Sequence, residues 1–167
     1  MARRFLAGLF ALVLAVSVTS TAKIHYGAAS DDLARVVDYA HSLEEHPLAK
    51  DNLQKRMWLT EWIVNSPAVA VAPYEELASL DAINNTYSQQ LRMQAMYSQA
   101  AFQLEHPNVK DPAALQAAGL AGTLRAYRAI QRFDPSAKYP VLDDLMSLER
   151  RGKLQKYIER RSKCFDD

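Results

Sequence analysis

Ala114, Ala118, Gly122 and Ala126 recur at intervals of four between Pro112 and Pro135. On an α-helix that spacing places them in one line. A line of side chains this small lets another helix backbone approach closely. The chain is therefore expected to fold around a helix over 111–133 that is central and packed on two sides. Leu120, Leu124, Tyr127 and Ile130 form a bulkier stripe beside the small one. Asp111 followed by Pro112 supplies a capping side chain and a proline at the first helical position. A large residue at Gly122 is expected to overpack the contact.

Composition points the same way. Ala and Leu number 46 in 167 residues, whereas Val and Ile number 15. Ala and Leu lose little freedom in a helix, and β-branched residues lose more. Five glycines are too few for an all-β fold built on many tight turns. A chain 49% hydrophobic and 23% charged is not a disordered tail, and its length suits one domain.

Caps, breakers and periodicity delimit six helical segments. Ser30, Asp31 and Asp32 open the first, with Leu33, Val36, Val37, Ala40 and Leu43 on one face, and it stops before Pro47. The second starts near Asp51 and carries Leu53, Met57, Trp58, Leu59, Trp62 and Ile63. A short third follows Pro73 and ends near Ile83. The fourth spans about Thr86 to Glu105, and the fifth is the small-stripe helix. The last runs from about Val141 to Arg161 with a break expected at Gly152. Ala68 to Ala72, between two prolines, reads as an extended connector on the core. The fold class is an all-α, single-domain bundle of five or six helices.

The segment Glu45-His46-Pro47-Leu48-Ala49-Lys50-Asp51 is echoed by Glu105-His106-Pro107-Asn108-Val109-Lys110-Asp111. Proline disfavours helix in the residue before it, and Asp caps the helix that follows, so each copy stops one helix and starts another. A duplicated helix-turn-helix unit would make the bundle solenoid-like. The flanking helices do not repeat at this offset, which favours independent use of the same punctuation.

Residues 1–22 have the layout of a secretory signal peptide. Arg3 and Arg4 precede an uncharged run from Phe5 to Val18, and Thr19-Ser20-Thr21-Ala22 offers small residues for cleavage. The run is shorter than the roughly 20 apolar residues that span a bilayer, which argues against an uncleaved anchor. The expected product is an exported domain over 23–167, periplasmic or extracellular. Cys164 is the sole cysteine, so no internal disulfide forms. Asn84-Asn85-Thr86 is a glycosylation sequon in a host that uses one.

Catalytic signatures are missing: there is no Gly-rich phosphate loop, no Gly-x-Ser-x-Gly, no His-Glu-x-x-His and no zinc-type cysteine cluster. The expectation is a non-catalytic interaction or scaffold protein without a cofactor. A second reading is a small-ligand or metal binder. Trp58 and Trp62, four apart, share a helix face and with Tyr39, Tyr74, Tyr87 and Tyr97 could line an apolar pocket, although aromatics at this spacing more often form core. His46 and His106, in the echoed turns, could bring two imidazoles and two glutamates to one metal. Each also suits a helix C-terminus, where it meets the dipole and free carbonyls.

Charge is uneven along the chain. Glu149 to Phe165 contains seven basic and two acidic residues. Lys153, Lys156, Arg160 and Lys163 recur three and four apart, on one face of a helix whose other side carries Leu154, Tyr157 and Ile158. That face fits another protein or an anionic envelope surface, or the acidic body of its own domain. The absence of a wider basic stripe argues against nucleic acid, and no transmembrane span is expected after signal cleavage.

Overall fold

The computed structural model describes residues 30–82 and 87–162. The signal-peptide segment, the sequon at Asn84, Lys163 and Cys164 lie outside the described residues. Six α-helices follow in order: α1 (Ser30–Glu45), α2 (Asn52–Asn65), α3 (Ser88–Glu105), α4 (Pro112–Phe133), α5 (Pro140–Arg150) and α6 (Leu154–Ser162). A 3-10 helix, Glu75–Ala82, stands between α2 and α3. No strand occurs among the described residues. None of these helices is long and apolar enough to cross a membrane.

Local chemistry sets the boundaries. Asp111 accepts a hydrogen bond from the Ala113 N–H at 3.1 Å, with Pro112 opening α4. Asp51 precedes α2 but makes no side-chain cap; it pairs with Lys55 at 3.0 Å. The echoed turns share one geometry. The His46 N–H donates to Ser42 O and the His106 N–H to Phe102 O, both at 2.9 Å. The carbonyls of His46 and His106 then accept from Ala49 and Val109, each three residues on. The last expected segment divides at Gly152, whose φ of +63° is left-handed backbone that glycine adopts without strain. Gly152 N–H bonds Glu149 O and Lys153 N–H bonds Leu148 O, the paired closure that ends α5.

Two cores share α3. One gathers Val36, Ala40, Leu43, Leu59, Trp62, Tyr97 and Ala101 from α1, α2 and α3. The other gathers Leu91, Leu120, Leu124, Tyr127, Ile130, Tyr139, Leu142 and Ile158 from α3 to α6. The most extensive packing is between α3 and α4, and α4 also meets α1, α5 and α6. Close approach is made by glycine. A methyl at Gly122 would overlap Ser98 and Glu44, and one at Gly119 would overlap the Tyr74 hydroxyl and the Ala95 carbonyl. Ala126 is buried with Gly122, while Ala114 and Ala118, nearer the helix start, are only partly covered.

The connector after α2 has no regular secondary structure and lies on the last two turns of α3. Gln103 clamps the Ala70 backbone from both sides, accepting from its N–H at 3.1 Å and donating to its carbonyl at 2.9 Å. Val69 and Val71 pack against the first core.

Candidate functional site

Helix α2 is apolar on two faces, and only one of them is covered. Leu59, Trp62 and Ile63 are buried. Leu53, Met57 and Val64 are 68%, 64% and 74% exposed. At 100° per residue, positions 53, 57, 60 and 64 lie on the side opposite 58 and 62. This uncovered side faces the start of α3 across a groove of about 710 Å³. Leu53, Met57, Val64 and Met93 give the groove its apolar lining, and Thr60, Tyr97, Gln89 and Gln90 add neutral polar groups.

Arg56 is built into the wall. Its Nη2 donates to the Pro47 carbonyl at 2.7 Å and to Gln90 Oε1 at 3.3 Å. Its Nε is sealed from solvent and has no acceptor. No carboxylate among the described residues pairs with it. Burial holds the guanidinium below the usual arginine range, which the nearby Tyr97 only partly offsets. The Tyr97 hydroxyl, whose own ionisation is pushed up by burial, lies 2.8 Å from Thr60 Oγ1 and donates to Arg56 O at 3.2 Å. These bonds fix α2 on α3, so the groove is held in shape by packed elements on both sides.

A second polar constellation is internal. Glu44 is buried where α1 crosses α3 and α4. Arg125 grips it with two bonds, Nε to Oε2 at 2.7 Å and Nη2 to Oε1 at 2.9 Å. Ser98 donates to Oε1 at 2.6 Å. His41 lies between two carboxylates, Nδ1 3.1 Å from Glu44 and Nε2 3.0 Å from Glu105. Only the doubly protonated ring donates to both. Burial pulls its pKa down, but the bonds and charges of Glu105 and Glu44 outweigh this and raise it. For Glu44, burial pushes the pKa up, and Arg125, Ser98 and His41 bring it below the usual range. Every oxygen of this carboxylate is engaged, so it has no lone pair aimed at a substrate.

Trp62 is fully buried, and Trp58 stacks on it at 6.4 Å. Tyr39 meets Trp58 edge-on at 5.5 Å, and the Arg35 guanidinium covers the Trp58 ring at 5.1 Å. The two tryptophans thus pack into the α1–α2 contact and do not line the groove; of the tyrosines grouped with them, Tyr97 does. His46 lies beside a shallow depression of about 320 Å³ with Pro47, Leu48 and Phe133. His106 packs on Phe102 at 4.4 Å. No group of three or more His, Cys, Asp or Glu among the described residues is placed to hold a metal. Lys153, just before α6, and Lys156 and Arg160 on it stand exposed, while Leu154 and Ile158 of the same helix are buried. Arg161 of the same helix pairs with Glu76 at 3.5 Å, which ties α6 to its own domain.

Sequence reasoning passed over Arg56 and the 53–57–64 line. The signal was present: apolar residues lie on both sides of α2, more than one buried face needs. No protein-family model, curated protein or solved structure matches this chain.

Proposed function

We propose that this is an exported, non-catalytic binding domain, and that the α2–α3 groove is where it takes a small, largely apolar ligand. The observation that carries this reading is the uncovered line of Leu53, Met57 and Val64 above a groove of about 710 Å³. That volume falls within the roughly 300–1,000 Å³ of small-molecule sites, which combine an apolar lining with a few polar groups. Exposed apolar surface of this kind is costly to keep unless something uses it. Export rests on the signal-peptide layout of residues 1–22. The reading as a non-catalytic protein rests on the missing catalytic motifs and on the saturated bonding of Glu44, the one buried carboxylate with a histidine beside it among the described residues.

Binding of the neutral dye Nile red tests the groove. Saturable binding at one site per chain, lost in Met57→Glu and retained in Lys156→Glu, is the expected result. Binding that survives Met57→Glu unchanged contradicts it.

The basic face of α6 supports a second reading, docking to an anionic surface or an acidic partner. Its specific support is the exposure of Lys153, just before α6, and of Lys156 and Arg160 on it, while Leu154 and Ile158 are buried. Lys163 continues the spacing beyond the described residues. Adsorption to vesicles rich in anionic lipid, reduced in a Lys153→Gln, Lys156→Gln double variant, is the expected result. Equal adsorption of both proteins contradicts it.

A further inference from the structure

Resting on the groove reading above, we infer that the ligand is a monoanionic amphiphile, an alkyl-chain carboxylate, whose charged end sits at Arg56 and whose chain runs along Met57 and Val64.

The groove has a charged end and an apolar end. Arg56 lies one turn from the start of α2, beside the Pro47 carbonyl that accepts from it. Gln89 and Gln90 face this end from the first turn of α3, where the aligned peptide dipoles leave partial positive charge. Met57, Met93 and Val64 extend away from it. From Leu53 to Val64 the helix rises about 16 Å, at 1.5 Å per residue. Glu61 lines the wall one turn beyond Met57, and Asn65 stands at the far end. The Glu61 carboxylate disfavours an anion along that stretch, so the negative charge belongs at the Arg56 end.

The guanidinium supplies the reason for an anion. A half-buried cation is normally paired. Arg56 has a carbonyl and an amide oxygen as acceptors, both on Nη2, and no carboxylate partner among the described residues. One positive charge matches one carboxylate. Two of its donor contacts are already committed to Pro47 and Gln90, which fixes the group in place before a ligand arrives. The neutral neighbours Thr60, Gln89 and Gln90 add hydrogen-bonding capacity without competing charge.

Calorimetric titration of the exported protein with decanoate and with neutral 1-decanol tests this. The expected result is tighter binding of decanoate, an advantage of about tenfold that Arg56→Gln removes and Arg56→Lys partly restores. Thermal melting of Arg56→Gln checks that the variant is folded, and its undiminished affinity for 1-decanol checks that the groove is intact. Equal affinity for the two probes, unchanged in Arg56→Gln, overturns the anion anchor and leaves the apolar groove standing. Binding of neither probe, with Nile red also failing to respond to Met57→Glu, overturns the groove reading as well. A dimer that dissociates in Met57→Glu and binds neither probe assigns the groove to a second copy of this chain, and overturns the inference.

Discussion

At the residue scale the decisive group is Glu44. A carboxylate removed from water is tolerated only when its lone pairs are filled, and here Arg125, Ser98 and His41 fill them. Arg125 is the strongest partner because its fork meets both oxygens. Arg125→Ala leaves Glu44 buried with two partners in place of three, and is expected to cost about 1–3 kcal/mol in urea unfolding. An unchanged midpoint would mean that the ion pair adds nothing to stability. The cluster also sets a pH dependence. His41 has a raised pKa when folded, so its contribution is complete below its ordinary value of 6.5 and is lost as pH rises through the raised value. Glu44 has a lowered pKa when folded, so its contribution is present above its ordinary 4.5 and is lost as pH falls through the lowered value. Stability from this cluster is therefore greatest between about pH 4.5 and 6.5. The melting temperature is expected to be higher near pH 6 than near pH 8, and His41→Gln should narrow that difference. A wild-type profile flat across this interval would contradict the assignment of charge to His41.

At the element scale, α4 was legible in the sequence and α2 only half so. The four-residue recurrence of small side chains announces a helix that others approach closely, and Gly122 and Ala126 are buried as that pattern requires. Gly119 carries the same role one turn earlier against Tyr74 and Ala95, and it falls outside the Ala114–Ala126 line. The periodic stripe identifies a face of the helix but not how wide the contact is. Gly119→Ala and Gly122→Ala are each expected to cost about 1–3 kcal/mol by overpacking, read as a lowered urea midpoint. Wild-type midpoints in both would mean that neighbouring helices yield without strain. Gly152→Ala tests a different cause, the left-handed backbone at the end of α5. It should cost about 1–2 kcal/mol although no atom lies near the added methyl. The stop at each His-Pro turn was also readable, because proline and capping chemistry act locally. The 3-10 geometry of Glu75–Ala82 was not, since the sequence there shows only a helix opened by Pro73 and two acids. The tryptophans on α2 drew notice by size, but a large aromatic at helical spacing serves the core equally well, and Trp62 is fully buried. The opposite face was missed because exposure depends on which helix fails to cover it, and spacing along one helix carries no such information.

At the scale of the whole molecule, α3 is shared by two cores, and this explains where the groove lies. Helices α1 and α4 pack against α3 and each other, α5 and α6 pack against α4 and each other, and α2 is anchored on α1 and α3 while keeping its other side open. Which helices become neighbours follows from loops and packing that no local motif encodes, so the arrangement was beyond the sequence even though the all-α class was not. Helix α6 is docked through Leu154, Ile158 and the Arg161–Glu76 pair, which leaves Lys153, Lys156 and Arg160 facing outward. The described residues therefore present two distinct surfaces, an apolar groove with Arg56 at one end and a basic ridge. Backbone amide shifts of the isotopically labelled protein, followed by NMR as decanoate is added, separate them in one titration. Saturable shifts are expected to concentrate at Leu53, Arg56, Met57, Thr60, Val64, Gln90 and Met93, with α6 silent. Shifts confined to Lys153, Lys156 and Arg160, or none at all, would contradict the assignment of the α2–α3 groove as the binding site.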